Sequence, residues 1–165
     1  METKFTPWRM HYIKRDEGDG GCVFCAMVAA PPADDAANLV LHRGERCFVV
    51  MNLFPYNTAH LMVVPNAHSA DLPGLDGPTA GELFELTRRC VALLAEEYAP
   101  HGFNLGMNLG RTAGAGIADH LHMHVVPRWS GDMNFMPIIG GTKLIPEELP
   151  ATYERLLPRF AALGG

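Results

Sequence analysis

Three histidines alternate with apolar residues in His120-Leu121-His122-Met123-His124-Val125-Val126-Pro127-Arg128-Trp129. Read as a strand at about 3.3 Å per residue, this stretch puts the three imidazoles on one face at roughly 6.6 Å intervals. Leu121, Met123 and Val125 then take the opposite face, towards a core. Burying three polar rings side by side costs free energy unless each has a partner. Imidazole nitrogens suit metal ligation, proton transfer and nucleophilic attack, so packing alone is the weaker reading of the stretch.

Upstream of the histidines, Arg111-Thr112-Ala113-Gly114-Ala115-Gly116-Ile117-Ala118 reads as a glycine-rich loop. Small residues let backbone N–H groups approach a ligand closely, as an anionic phosphate requires. Nearer the start, Cys22-Val23-Phe24-Cys25 is a C-x-x-C pair that fits a redox couple, half a zinc site or chance. In a reducing compartment metal is favoured over a disulfide. Cys47, in an apolar run, and Cys90, in a helical pattern, read as plain buried residues.

The elements that must position these groups follow from periodicity. Residues 39–42, 47–53 and 60–65 read as three strands of an antiparallel meander, and 103–109 as another. Residues 29–38, with two prolines and two aspartates, read as a loop. From Thr79 to Tyr98 the residues Leu83, Phe84, Leu86, Cys90, Val91, Leu93, Leu94 and Tyr98 gather towards one helical face. A short helix is expected within Pro146–Leu163, and Ser130–Pro137 reads as a loop. The expected fold is α+β: an antiparallel sheet with one long helix and a short C-terminal helix. Residues 1–21 form an aromatic and acidic lead-in and 22–165 a single domain of a size that needs no disulfide support.

A formal charge of −5 and a pI near 5.9 argue against a nucleic-acid partner, which would require a basic surface. With no apolar segment approaching eighteen residues and no hydrophobic stretch at the start, a cytoplasmic protein without a membrane partner is expected.

The pattern H-x-H-x-H with apolar spacers resembles the motif of the histidine triad superfamily of nucleotide hydrolases and transferases. The likeness runs from about Cys22 to Asp132 and includes Asn52, the element from His60 to Pro65, Asn108, and Ala113-Gly114 before the triad. It implies a homodimer of the fold just described. It also implies that His122 is the nucleophile on an α-phosphate, that His124 hydrogen-bonds phosphate oxygens or the leaving group, and that His120 completes the catalytic set. Asn52, His60, Asn108, Gly114, Ala115, Gly116, Ile117 and His124 become nucleotide-binding positions by the same resemblance, although turn capping is the ordinary role of an asparagine such as Asn52. Members with C-x-x-C near the start resemble a site built here by Cys22, Cys25, His68 and His120, a closed Cys2His2 set suited to structural zinc.

Hydrolytic members commonly carry glutamine after Ala-Gly before the triad, where this chain has Ala115-Gly116-Ile117-Ala118-Asp119, one residue longer. Pro7–Met10, Asn52–Asn57 and Pro127–Phe135 look most like the bacterial diadenosine tetraphosphate phosphorylases of the superfamily. Cleavage of dinucleoside polyphosphates through an adenylyl-His122 intermediate is therefore expected, with inorganic phosphate favoured over water as acceptor. The alternatives are hydrolysis of adenosine 5′-phosphoramidates, a nucleotide-binding module without turnover, and a catalytic metal site on the histidines.

Overall fold

In the computed structural model, residues 21–132 and 145–162 are described. Five strands, β1 (Val40–Arg43), β2 (Cys47–Met51), β3 (Leu61–Pro65), β4 (Gly102–Gly106) and β5 (Met123–Arg128), form one antiparallel sheet in the order β1-β2-β3-β5-β4. The expected meander is its first half. Each of β2 and β3 is buried along its whole length, as befits central strands covered on both faces.

Four helices are described: α1 (Val23–Ala29), the single turn α2 (Asp35–Asn38), α3 (Gly77–Tyr98) and α4 (Leu149–Ala161). On one face of the sheet, Val49, Leu61, Val63 and Val125 meet Leu83, Leu86, Cys90 and Leu94 of α3 and Leu156 and Phe160 of α4. On the other, Val50, Met62 and Val64 meet Phe24 of α1 and Ile117 of the glycine-rich loop. This second face is the one that matters for chemistry. Among the described residues no helix is long and apolar enough to cross a membrane.

Local chemistry explains the element ends. Asp76 caps α3 by accepting the Thr79 N–H at 3.0 Å, and Pro78 in the first turn gives up no helical hydrogen bond. The Glu82 carboxylate accepts the Arg46 and Cys47 amides at 3.0 and 3.1 Å, pinning the β1–β2 turn to α3. Across the sheet end, the buried Tyr153 hydroxyl donates to the Val40 carbonyl at 2.9 Å and ties α4 to β1.

Three expectations change. The stretch 29–38 is not all loop: α1 ends at Ala29, a 3₁₀ turn occupies Pro32–Asp34, and α2 follows. Phe84 does not join the buried stripe of α3 and is 68% exposed, because it lies about 110° round the helix from the centre of that stripe. Most consequentially, β5 begins at Met123, so His120 and His122 precede the paired strand and only His124 lies on it. The Leu121 N–H goes to the Ser69 carbonyl at 2.8 Å, which draws this segment onto the loop after β3 instead of into the ladder. Residues 1–20 of the N-terminal lead-in and residues 133–144, which include most of the expected loop Ser130–Pro137, lie outside the described residues.

Candidate active site and metal centre

Sheet register assembles the site. Met62 of β3 pairs with His124 of β5, so both side chains share the α1 face, and His60, two residues before Met62, points the same way. The His60 Nε2 and His124 Nδ1 atoms lie 2.9 Å apart. His60 Nδ1 accepts the Tyr56 N–H at 3.0 Å, and the Tyr56 ring stacks on His60 with centroids 4.8 Å apart.

These partners dictate where the protons are. An amide can only donate, so His60 Nδ1 carries a lone pair and its proton is on Nε2. That proton is donated to His124 Nδ1, which leaves a neutral His124 with its own proton on Nε2. His122 obeys a separate rule: its Nδ1 lies 2.9 Å from the His120 carbonyl, which can only accept. His122 therefore donates from Nδ1 and keeps its lone pair on Nε2. Burial lowers its pKa below the usual imidazole value, against a smaller opposing effect of the carbonyl, so the ring is neutral near pH 7. The His122 and His124 centroids are 4.9 Å apart, so a nucleophilic lone pair and a donor N–H sit on neighbouring rings.

Phe24, 1% exposed, holds this arrangement from the α1 side. Its ring centroid is 5.3 Å from those of both His120 and His122. It sits within the C-x-x-C, so the helix that carries the cysteine pair also packs the rings of His120 and His122. Arg43 fixes that helix by donating to the carbonyls of Met27 and Ala30, at 2.9 and 3.2 Å, while pairing with Asp35.

Cys22, Cys25, His68 and His120 converge, their donor atoms all within 4.8 Å of one another. Cys22 Sγ and Cys25 Sγ lie 3.2 and 3.7 Å from His120 Nδ1, and Cys25 Sγ lies 3.2 Å from His68 Nδ1. The S–N edge of a tetrahedral zinc site, from ordinary Zn–S and Zn–N lengths, is about 3.6 Å. His120 Nε2 donates to the Pro65 carbonyl at 2.8 Å, leaving the Nδ1 lone pair towards the sulfurs. Burial lowers the His120 pKa, keeping the ring in its ligating form. The donor set thus fits zinc.

The glycine-rich loop is more selective than its composition suggests. The amides of Ala113, Gly114 and Ala115 are spent on the carbonyls of Gly110 and Arg111 within a 3₁₀ turn. Among the described residues, those of Gly116, Ile117 and Ala118 have no such acceptor, so they are the ones a phosphate could meet. Asn52 Oδ1 accepts the Phe54 N–H at 2.9 Å, closing a turn, so any nucleotide contact falls to the rest of its side chain. Asn108 is half-buried between β4 and the loop. Sequence reasoning assigned no role to Tyr56, Asn57 or Asp132; the contact that joins their two segments, from Asn57 Nδ2 to Asp132 and the Pro127 carbonyl, is long-range.

The family model for the HIT domain matches residues 34–131, more than half of the chain. The chain belongs to the HIT domain family. Among HIT proteins it is 40% identical over 166 residues to the AP-4-A phosphorylase of Mycobacterium tuberculosis, covering 98% of this chain and 85% of that protein. The adenosine 5′-monophosphoramidase of Schizosaccharomyces pombe is 22% identical, over 82% of this chain and 95% of that one. In fold, this HIT chain superposes on the crystal structure of a Zn-bound histidine triad family protein from Mycobacterium smegmatis with a TM-score of 0.68 and 25% identity, covering 89% and 98% of the two chains.

Proposed function

We propose that this HIT protein is a nucleotidyl transferase that cleaves dinucleoside polyphosphates of the diadenosine tetraphosphate type, with inorganic phosphate as the preferred acceptor. The observation that carries the reading is the His122 ring, buried, neutral and held by the His120 carbonyl so that Nε2 keeps a free lone pair. In the first step Nε2 attacks the α-phosphorus, an N–P bond forms, and the P–O bond to the departing nucleotide breaks. His124, with its proton on Nε2, hydrogen-bonds a phosphate oxygen or the leaving oxygen. In the second step a phosphate oxygen attacks the adenylyl-His122 phosphorus, the N–P bond breaks, and ADP is released. The amides of Gly116, Ile117 and Ala118 are the donors for charge that builds on the phosphoryl oxygens.

The 40% identity to an AP-4-A phosphorylase across nearly the whole chain supports the substrate class. Charge supports it as well. Among the described residues every arginine except Arg111 is ion-paired with a carboxylate, and Arg111 opens the 3₁₀ turn of the loop before the triad. An unpaired guanidinium there suits a polyphosphate, which the neutral histidines cannot balance.

Zinc, held by Cys22, Cys25, His68 and His120, would act as a structural cross-link between α1, the loop after β3 and the triad segment. Pairing as a homodimer is part of the same reading. β4 is an edge strand whose outer residues Asn104, Leu105 and Gly106 are exposed, Leu105 by 51%, and Phe84 is exposed too.

The test is product identification after incubation with diadenosine tetraphosphate, with and without inorganic phosphate, for wild type and His122→Asn. ADP plus ATP only when phosphate is present, lost in the variant, supports phosphorolysis through His122. AMP plus ATP regardless of phosphate makes the protein a hydrolase, and turnover retained by His122→Asn removes the covalent mechanism.

A further inference from the structure

The proton arrangement that readies His124 depends on one backbone amide, that of Tyr56, in the exposed turn between β2 and β3. Something must hold that turn at the correct distance from His60. The next residue, Asn57, is buried, and its Nδ2 donates to the Asp132 carboxylate at 2.8 Å and to the Pro127 carbonyl at 3.1 Å. Asn57 also organises the turn from within: its Oδ1 accepts the Thr58 N–H at 3.2 Å and its carbonyl accepts the His60 N–H at 3.2 Å. Asp132 is itself fixed to the end of β5. Its Oδ2 accepts Arg128 Nε at 2.6 Å and the Trp129 N–H at 3.3 Å, and its Oδ1 accepts Arg128 Nη2 at 2.9 Å. His124 lies on that same strand, four residues before Arg128.

We propose that Asp132, acting through Asn57, is a positioning residue that sets the tautomers of His60 and His124. The inference rests on the catalytic reading for its effect on rate, but not for its effect on the rings. The carboxylate joins the two segments that carry the two histidines, and it does so at the amide that selects the His60 tautomer. Without it the Tyr56 N–H drifts from His60 Nδ1, and the alternative tautomer, with the proton on Nδ1, is no longer penalised by an amide donor facing an N–H. His60 Nε2 then becomes an acceptor. His124 must donate from Nδ1, and its Nε2 presents a lone pair where the phosphate or leaving oxygen needs a proton. The hydrogen bond between the two rings survives, but it is reversed.

The experiment compares wild type with Asp132→Ala and with Arg155→Gln, a control that removes an ion pair between α4 and Glu147 away from the site. Histidine-selective ¹⁵N labelling and long-range ¹H–¹⁵N spectra at pH 8, without substrate, read the tautomer of each ring. Steady-state kinetics on diadenosine tetraphosphate with phosphate give kcat and KM. In wild type, His60 and His124 each show a single tautomer with the proton on Nε2. In Asp132→Ala both signals move towards a mixed or reversed tautomer, and kcat falls at least about tenfold, the scale of a weakened proton donor, while KM stays within about twofold. Arg155→Gln lowers the melting temperature and moves neither.

Unchanged tautomers in folded Asp132→Ala overturn the proposal, as does a tautomer change matched by Arg155→Gln. Should Asp132→Ala not fold, Asn57→Ala, which keeps the Arg128–Asp132 pair, must give the same tautomer shift, and its failure to do so is equally decisive. Because the spectra need no turnover, an inert wild type with the expected tautomer response refutes the catalytic reading and leaves the positioning role standing.

Discussion

Replacing Phe24 by alanine perturbs the helix that carries the cysteine pair and the histidine rings at once, and the structure sets the size of both effects. Phe24 is 1% exposed and packs against Phe48 at a centroid distance of 6.3 Å as well as against His120 and His122. Deleting a fully buried phenyl ring costs about 3–5 kcal/mol, the transfer free energy plus the cavity that remains. Against a domain stability of roughly 5–15 kcal/mol, the variant is still folded at 25 °C in most of that range. With a urea slope near 2 kcal/mol/M, the unfolding midpoint should fall by about 1.5–2.5 M. Phe24→Leu, which refills most of the volume, should cost under about 1.5 kcal/mol. The kinetic effect should exceed what the lost stability alone explains. A His122 ring free to tilt by about 1 Å loses on the order of 100-fold in the chemical step. Urea titration followed by tryptophan fluorescence, with kcat measured at 15 °C where both variants are folded, separates the two effects. A midpoint shift of the expected size with unchanged kcat would show that the ring stabilises the fold without orienting His122. A shift below 0.5 M, about 1 kcal/mol at that slope, would refute the packing argument itself.

Chelation of zinc-loaded protein should lower the melting temperature by roughly 5–10 °C, taking about 2.7 kcal/mol for a site saturated 100-fold over its Kd and about 2–4 °C per kcal/mol at this chain length. Cys25→Ser should show the same loss without chelator, and a melting temperature indifferent to both would remove the structural zinc. Arg111→Ala should lower kcat/KM for diadenosine tetraphosphate about 10-fold or more, the scale of a charge-assisted hydrogen bond, but leave adenosine 5′-phosphoramidate turnover nearly unchanged. Equal losses on both substrates would show that Arg111 does not read polyphosphate charge. Glu147 links α3 to α4 by accepting from Tyr98 at 2.7 Å, Thr152 at 2.8 Å and Arg155 at 2.9 Å. Burial alone would raise its pKa, but those partners outweigh burial and hold it below the usual value of 4.5. Its contribution to stability is therefore full above the unfolded-state pKa and disappears as pH falls through the lower native one. The stability gap between wild type and Glu147→Gln should be flat from pH 8 to 5 and close below about pH 4.5. A gap that does not narrow as the pH falls below the unfolded-state value would contradict the linkage.

What the sequence disclosed and what it hid divide along physical lines. The central strands were legible as short unbroken apolar runs, Cys47–Met51 and Leu61–Pro65, which strands covered on both faces require, and α3 because burial writes a period between three and four into Leu83, Leu86, Cys90 and Leu94. Helix α1 was not, because seven residues give too few turns for a period to show, and its face is defined mainly by Phe24, Met27 and Val28. Alternation at His120, His122 and His124 predicts one strand, and the ladder excludes the first two because the Leu121 N–H bonds to the Ser69 carbonyl. Phe84 sits beside Leu83 in sequence, and apolar character alone did not show which of the two faces inwards. Asn57 and Asp132 are 75 positions apart, and no local pattern announces a contact that only the register of β3 against β5 creates.

His120 explains why the cysteine pair and the triad belong to one site. Three of its polar groups have different partners: Nδ1 faces Cys22 and Cys25, Nε2 donates to the Pro65 carbonyl, and its own carbonyl receives the His122 Nδ1–H. A metal held on Nδ1 would fix the ring and with it the peptide that follows, whose carbonyl selects the His122 tautomer with the lone pair on Nε2. The loss of zinc should therefore reach the nucleophile through backbone geometry, with no metal-bound reactant involved. The two halves of the site can be told apart by experiment, since Cys25→Ser should disturb His122 through His120, whereas Asp132→Ala should disturb His124 through His60. The double variant should lose the product of the two single rate effects if the rings are set independently. It should lose no more than the larger single effect if one disordered segment accounts for both.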